Sequence, residues 1–163
     1  MKLKTALFAG RFQPLHKGHV NAIKNLFGKY QKVVIVIGSV NKKGTENPFT
    51  FQERKTMIDA SFKKYKNRYK IIGVPDVESD RKWKNEITGK VKFDVIVTGN
   101  RWTAKCFSGY RIIKPKMLNP AKYNATRIRE LIKTGRGWQN LVPKEIVPII
   151  NKHKAAVFRQ SLT

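Results

Sequence analysis

The stretch "KTALFAGRFQPLHKGHVNAIKNLFGKYQKVVIVIGS", residues 4–39, reads as strand, loop, helix and strand in that order. "KTALFAG" (4–10) and "KVVIVIGS" (32–39) are short, apolar and rich in β-branched residues, as strands buried on both faces tend to be. Between them Val20, Ile23, Leu26 and Phe27 recur at helical spacing, with Gly28 near the helix end. The connection "GRFQPLHKGH" (10–19) holds a glycine, an arginine, a proline and two histidines three apart. Such residues build cores poorly and are costly to bury unpaired. They form either a polar turn or a site.

The same alternation continues. "TFQERKTMIDASFKKY" (50–65) puts Phe51, Met57, Ile58 and Phe62 on one stripe, and Thr50 with Glu53 fits a capping box. "YKIIGV" (69–74) is a third strand, "SDRKWKNEI" (79–87) a helix, "FDVIVTG" (93–99) a fourth strand and "YRIIKP" (110–115) a weaker fifth. Helices follow from about Ala125 to Lys133 and from about Pro143 to Lys152, where Pro143 suits a first turn. Strand, helix, strand in repetition predicts an α/β fold: one parallel sheet with helices on both faces. Ligands of such sheets bind beyond the carboxyl ends of the strands, where the strand order reverses. That rule puts "GRFQPLHKGH", "GSVNKKGTENPFT" and "TGNRW" on one rim. Residues 1–163 are expected to form a single domain, with a helical C-terminal part over about 124–155.

The longest apolar run, "VVIVIG" (33–38), is far too short to cross a bilayer. Met1 leads into the first strand without the apolar region or cleavage site of a signal peptide. Cys106 is the single cysteine, so an internal disulfide is excluded and a reducing cytoplasm is the expected setting, with no membrane partner. Thirty-five Lys and Arg against ten Asp and Glu give +25. A field of that sign attracts nucleotides and nucleic acid, at least nonspecifically. The densest run, "KKYKNRYK" (63–70), reads either as a nucleic-acid contact or as a solvated basic face closing a helix.

His16 and His19 fall in the first turn of the first helix, on one side of it. Free amides and the helix dipole make that turn a ready phosphate site, and imidazole donates to phosphate in either protonation state. Gly10 lets the chain turn close to a ligand, and Arg11 offers a fork for phosphate. The competing reading is an N-cap histidine beside a solvent histidine. Zinc is a poor fit, because only His153 and Cys106 remain as soft ligands. GxxxxGK[ST] and GxGxxG are both missing, which argues against P-loop ATPases and ordinary dehydrogenases. Trp83, in a charged stretch, is either an anchor for its helix or a stacking platform for a flat ring.

Four blocks carry a resemblance. "GRFQPLHKGH", "ENPFTFQERKTMI" (46–58), "YNATRIREL" (123–131) and "GWQNLVP" (137–143) are similar, in order and spacing, to the motifs of archaeal-type nicotinamide-nucleotide adenylyltransferases of the HxGH nucleotidyltransferase superfamily. The resemblance implies a Rossmann-like fold of HxGH nucleotidyltransferase type. It implies adenylyl transfer from ATP to nicotinamide mononucleotide, giving NAD and pyrophosphate by one in-line displacement. His16, His19 and Arg129 would be the catalytic set, although Arg129 read alone is a surface helix arginine. Gly10, Arg11, Phe12, Gln13, Gly18, Gly99, Asn100, Asn124 and Thr126 would bind ATP. Arg54, Asp80 and Trp83 would bind the mononucleotide, with an ion pair to a nearby carboxylate as the alternative for Arg54. Mg²⁺ would be bound through the ATP phosphates with no protein metal site, and a homo-oligomer, commonly a hexamer, is implied. Nicotinate mononucleotide or another phosphorylated acceptor is the rival substrate, and a basic nucleic-acid-binding protein on this scaffold the rival class. The chain departs from the family where Asn124-Ala125 replaces Ser-Gly, Phe51-Gln52 replaces Ala-Gly, and Arg127 replaces an acidic residue.

Overall fold

Five strands, β1 (Thr5–Gly10), β2 (Lys32–Ile37), β3 (Tyr69–Gly73), β4 (Val95–Val97) and β5 (Arg111–Ile113), pair in parallel in the order β3-β2-β1-β4-β5. The computed structural model describes residues 4–161, without the side chains of Phe158 and Ser161, so the reading of residues 1–3 as leaderless lies outside the described residues. β1 pairs with β2 on one side and β4 on the other, which places the reversal of strand order, and the crevice it opens, at the carboxyl ends of β1 and β4. Gly10 lies opposite Ile37, so the loops leaving β1 and β2 start at the same height.

Two cores follow from the alternation of side chains across the sheet. Ala6 and Phe8 face one side, covered by α1 (Lys17–Lys29), α2 (Phe51–Ser61), α5 (Ala125–Thr134) and α6 (Val147–Ser161). Leu7 and Ala9 face the other, covered by α3 (Asp80–Thr88) and the residues around α4 (Arg101–Cys106). Helices therefore lie on both faces, and β1, β2 and β4 are buried on both, as their apolar runs require. The edge strand β5 is exposed at Arg111 and Ile112, which is why its signal was weak. The predicted capping box of α2 is present in both halves, with Glu53 N–H on Thr50 Oγ1 and Thr50 N–H on Glu53 Oε2.

Some boundaries differ from the expectation. The helix placed over 50–65 stops at Ser61, and Lys63–Arg68 winds as a 3-10 turn. Its residues are used inward: Tyr65 stacks on Phe27 at 4.2 Å and 8°, and Tyr69 donates to Asp59 at 2.8 Å. Arg68 closes the end of α1 by donating to the carbonyls of Phe27 and Tyr30 at 2.7 Å each and Gln31 at 3.2 Å. With both tyrosines committed, the run offers no platform for stacking a base. Lys63, Lys64 and Lys66 make the solvated basic face. The last helix is preceded by a 3-10 turn at Lys144–Ile146 and runs on to Ser161. α4 was not anticipated. It is six residues long, capped by Asn100, whose Oδ1 accepts from Thr103 N–H. Among the described residues no helix is long and apolar enough to cross a membrane.

Helix-end carbonyls need partners, and a guanidinium serves several at once. Arg68→Ala is expected to lower unfolding free energy by about 2 kcal/mol, with Arg68→Lys recovering less than half. Urea denaturation checks this; an alanine variant within about 0.5 kcal/mol of wild type would show that α1 closes without the fork.

Candidate active site

The loop after β1 is shaped by its own buried Gln13 and by buried arginines from two distant segments, α2 and α5. Phe12 is 1% exposed at a left-handed φ of 52°, a conformation unusual for an aromatic residue and held by its packing. Gln13, also 1% exposed, pairs its amide with the backbone of Phe49, donating to the carbonyl and accepting from the N–H at 2.9 Å each. Arg54 donates from Nη1 to the carbonyls of Arg11 and Gly38 at 2.8 Å each, and from Nε to Thr50 O at 3.3 Å. Arg129 donates to Gln13 O at 2.9 Å, with its other nitrogen 3.4 Å from Thr126 Oγ1. The loop carbonyls are thus turned onto buried guanidiniums.

His16 is the N-cap of α1 and is buried. Its Nδ1 accepts from Gly18 N–H at 3.1 Å and His19 N–H at 3.3 Å, while His19 Nδ1 accepts from His16 N–H at 3.2 Å. A ring nitrogen that accepts carries no proton, so in each neutral ring the proton lies on Nε2. Both rings therefore present an Nε2–H as their free polar group. They stack at 3.6 Å and 24°, with Phe12 at 4.8 Å from His19. Burial pushes His16 down to about 4, and burial and then the neighbouring His16 hold His19 well below the usual histidine range. The glycine between them has a steric cause: a Cβ on Gly18 would stand 2.9 Å from His16 ring atoms and 3.2 Å from Tyr123 Cβ. Being an N-cap and being a donor turn out to be compatible, since capping uses Nδ1 alone.

That approach to Tyr123 brings the start of α5 against the start of α1. Asn124 caps α5 through Oδ1, which accepts from Arg127 N–H at 2.9 Å, so the departure from Ser-Gly leaves the cap intact. Arg129, 7% exposed, projects from the first turns of α5, not onto an open surface. Arg11 is exposed, and no hydrogen bond or ion pair of its guanidinium is present among the described residues. Arg54 is lowered to about 10, first by burial and then by the charge of Arg11; Arg129 is lowered by the same two causes. Three guanidiniums and two neutral imidazoles thus crowd one crevice. None of the three arginines is in an ion pair among the described residues, so the alternative for Arg54 is not what the structure has. At 1% exposure Arg54 is first a brace for the loops, with Nη2 left without an acceptor among the described residues.

Gly99 and Asn100 lie exposed beyond β4 on the same rim. Trp83 is 6% exposed and sits in the second core against Phe107, at 5.8 Å and 72°, which is the anchor reading of its sequence. Asp80, at the start of α3, accepts from the indole N–H of Trp102 at 2.8 Å, and Trp102 lies 4.7 Å from Trp83. Sequence reading placed "TGNRW" on the rim without singling out Trp102. It also missed a clasp between the loops after β2 and β3, where Ser39 donates to Asp76 at 2.9 Å and Asn41 pairs with the Asp76 backbone. No three His, Cys, Asp or Glu side chains cluster to hold a metal among the described residues.

A cationic cradle with paired helix starts, at the switch point of a doubly wound sheet, is the architecture of a nucleotide-handling protein. Residues 7–134 match the family model described as cytidylyltransferase-like. Nicotinamide-nucleotide adenylyltransferase of Methanococcus aeolicus is 35% identical over 151 residues, covering 90% of this chain and 88% of that protein. The enzyme of that name from Pyrococcus abyssi is 37% identical over 154 residues, covering 91% and 83%. The chain belongs to the cytidylyltransferase-like family and, within it, to the nicotinamide-nucleotide adenylyltransferases. A solved structure from Francisella tularensis, a bifunctional NMN adenylyltransferase/ADP ribose pyrophosphatase complexed with AMP and a manganese ion, superposes with a TM-score of 0.76 at 27% identity. The match covers 86% of this chain and 44% of that one, so this chain spans less than half of the bifunctional protein.

The histidine pair makes a prediction about acid. An unfolded histidine takes its proton near pH 6.5, whereas folded His16 resists down to about 4. The unfolded state therefore binds more protons in that window, and stability falls as pH drops from about 6.5 towards 4, by up to about 3 kcal/mol from His16. His16→Asn, which keeps a capping oxygen, is expected to flatten the decline, as denaturation at a series of pH values will show. An unchanged slope would mean that His16 is protonated in the folded protein.

Proposed function

We propose that the protein transfers the adenylyl group of ATP to nicotinamide mononucleotide, giving NAD and pyrophosphate. The observation that carries this reading is the convergence of two imidazole Nε2–H donors, the exposed fork of Arg11 and the buried fork of Arg129 at the meeting of two helix starts. The acceptor phosphate oxygen attacks the α-phosphorus in line, the bond from that phosphorus to the bridging oxygen breaks, and pyrophosphate leaves. The reaction asks for alignment and for neutralisation of charge on oxygen, which these residues supply. In this reading His16 and His19 donate to the phosphates, with His19 nearest the α-phosphate, while Arg129, Thr126 and the amides after Asn124 take the outer phosphates.

Gly10, Arg11 and Gly18 complete the cradle, and Gly99 and Asn100 line the adenosine side. Phe12 and Gln13 contribute through their backbone, because their side chains are buried and Gln13's amide is already paired. Arg54, through its spare nitrogen, and Asp80 serve the acceptor end, and Trp83, buried against Phe107, anchors α3 behind Asp80. A divalent cation, Mg²⁺ in this reading, would be held mainly through the ATP phosphates and would supply charge neutralisation there. The chain's own cationic donors engage the same phosphates.

The working form we propose is a cytoplasmic homo-oligomer. Exposed Tyr110, Ile112, Met117 and Leu118, on and to either side of the edge strand β5, supply apolar surface for self-association. Nucleic acid would associate only through the +25 field, weakening steeply with salt.

ATP, Mg²⁺ and nicotinamide mononucleotide should yield NAD and pyrophosphate in equal amounts, identified by mass. His19→Ala is expected to lower kcat at least about a hundredfold, and Gly18→Ala, by displacing the His16 ring, at least about tenfold, each with unchanged circular dichroism. Folded wild type that forms no dinucleotide from nicotinamide or nicotinate mononucleotide would rule the reading out.

A further inference from the structure

We infer that His153, on α6, is a positioning residue for the phosphate cradle: it holds Phe49 and Glu53 around the start of α2, and through Phe49 and Gln13 it fixes the seat of Arg129. The inference rests on the proposed function in taking ATP as the occupant of that cradle. His153 is the third histidine of the chain, stands 100 residues from its partner in α2, and belongs to none of the four motif blocks. Its side chain is only 15% exposed, although its helix lies at the far end of the sequence.

Two contacts seat the His153 ring. Nδ1 lies 2.8 Å from Glu53 Oε1, and the ring packs on Phe49 at 4.6 Å and 46°. A carboxylate only accepts, so Nδ1 of His153 donates and carries a proton, the reverse of the arrangement in His16 and His19. Glu53 thereby divides its oxygens: Oε1 accepts from α6, and Oε2 accepts the Thr50 N–H of the capping box. The start of α2 is locked from outside its own helix.

Phe49 carries the effect onward. Its ring is buried, and both its backbone polar groups pair with the Gln13 amide. Gln13 in turn gives its carbonyl to Arg129 Nη1 at 2.9 Å. His153, Phe49, Gln13 and Arg129 thus form a continuous line from the last helix to the fork that takes the outer phosphates. Close packing leaves the members of such a line little room to relax singly. A cradle fixed in advance binds its anion without having to be ordered by it, and a loosened Phe49 would forfeit that advantage for ATP. The acceptor end lies off this line. Asp80 stands on α3, across the sheet, and Arg54 keeps the carbonyls of Arg11 and Gly38 whatever happens at Glu53.

Calorimetric binding of ATP with Mg²⁺, and steady-state kinetics with ATP and nicotinamide mononucleotide varied separately, test this in His153→Ala, His153→Asn and Phe49→Leu. His153→Ala is expected to raise Kd and KM for ATP about fivefold and to leave KM for the mononucleotide within about twofold. His153→Asn, whose amide nitrogen can stand where Nδ1 was, should return both ATP constants to within about twofold of wild type. Phe49→Leu should weaken ATP as well, and the double variant of His153→Ala with Phe49→Leu should be no weaker than the worse single one, because both act along one line. ATP constants within about twofold of wild type in folded His153→Ala, with only thermal stability lowered, would overturn the inference and leave His153 an anchor of α6. An asparagine variant as weak as the alanine, or fully additive losses in the double variant, would overturn it too. Should His153→Ala not fold, Phe49→Leu decides, and an unchanged ATP Kd there overturns the line. Wild type that binds ATP but turns over neither acceptor removes the adenylyl-transfer reading, while the ATP Kd of the variants still decides this inference. Wild type that binds no ATP removes both.

Discussion

Two backbone N–H groups and two imidazole nitrogens decide how this site works. His16 and His19 each take the other's amide on Nδ1, and several properties follow from that exchange. It caps α1, sets the tautomer of both rings, stacks them and directs both Nε2–H groups away from the helix. It also explains the residue between them: Gly18 is a glycine because a side chain there would occupy the space of the His16 ring. The motif is thus a structural unit whose chemical output is a pair of fixed donors.

Neutral donors among cations make electrostatic sense. A protonated histidine beside a helix start would add repulsion to a crevice where burial, and then the charge of Arg11, already lower the proton affinity of Arg54 and Arg129. Burial keeps the rings uncharged, so the crevice stays cationic enough to attract a triphosphate without the folded state carrying two further charges. Arg54 and Gln13 hold this geometry from beneath, turning loop carbonyls inward and away from a phosphate. The arrangement is costly unless anion and protein meet, as expected of a binding site built before its ligand arrives.

Local order was legible in the sequence; long-range pairing was not. β1, β2, α1 and the capped start of α2 follow from apolar period and from contacts three residues apart, and the structure has them as read. β5 and α4 are three and six residues long and lie near the surface, so hydrophobic period says little about them. The histidines and Arg129 were visible through motif and spacing. The bracing roles of Gln13 and Arg54 were not, because their partners lie 36 and 43 residues away. The Asp80–Trp102 bond, 22 residues apart, is hidden for the same reason. Trp83 shows the limit of reading a single aromatic: its stretch is charged, yet its ring is buried, and the tryptophan left open stands on another helix.

The central claim is that the histidines are donors and not nucleophiles, since each ring has one nitrogen accepting from backbone and the other bearing a proton. Adenylyl transfer then occurs in a single displacement. The most direct test is the stereochemical course at the α-phosphorus, followed with ATP carrying sulfur in place of one nonbridging α-oxygen in a single configuration. Inversion in the dinucleotide product is the predicted result. Net retention would mean two displacements through an adenylylated side chain, and would contradict the account.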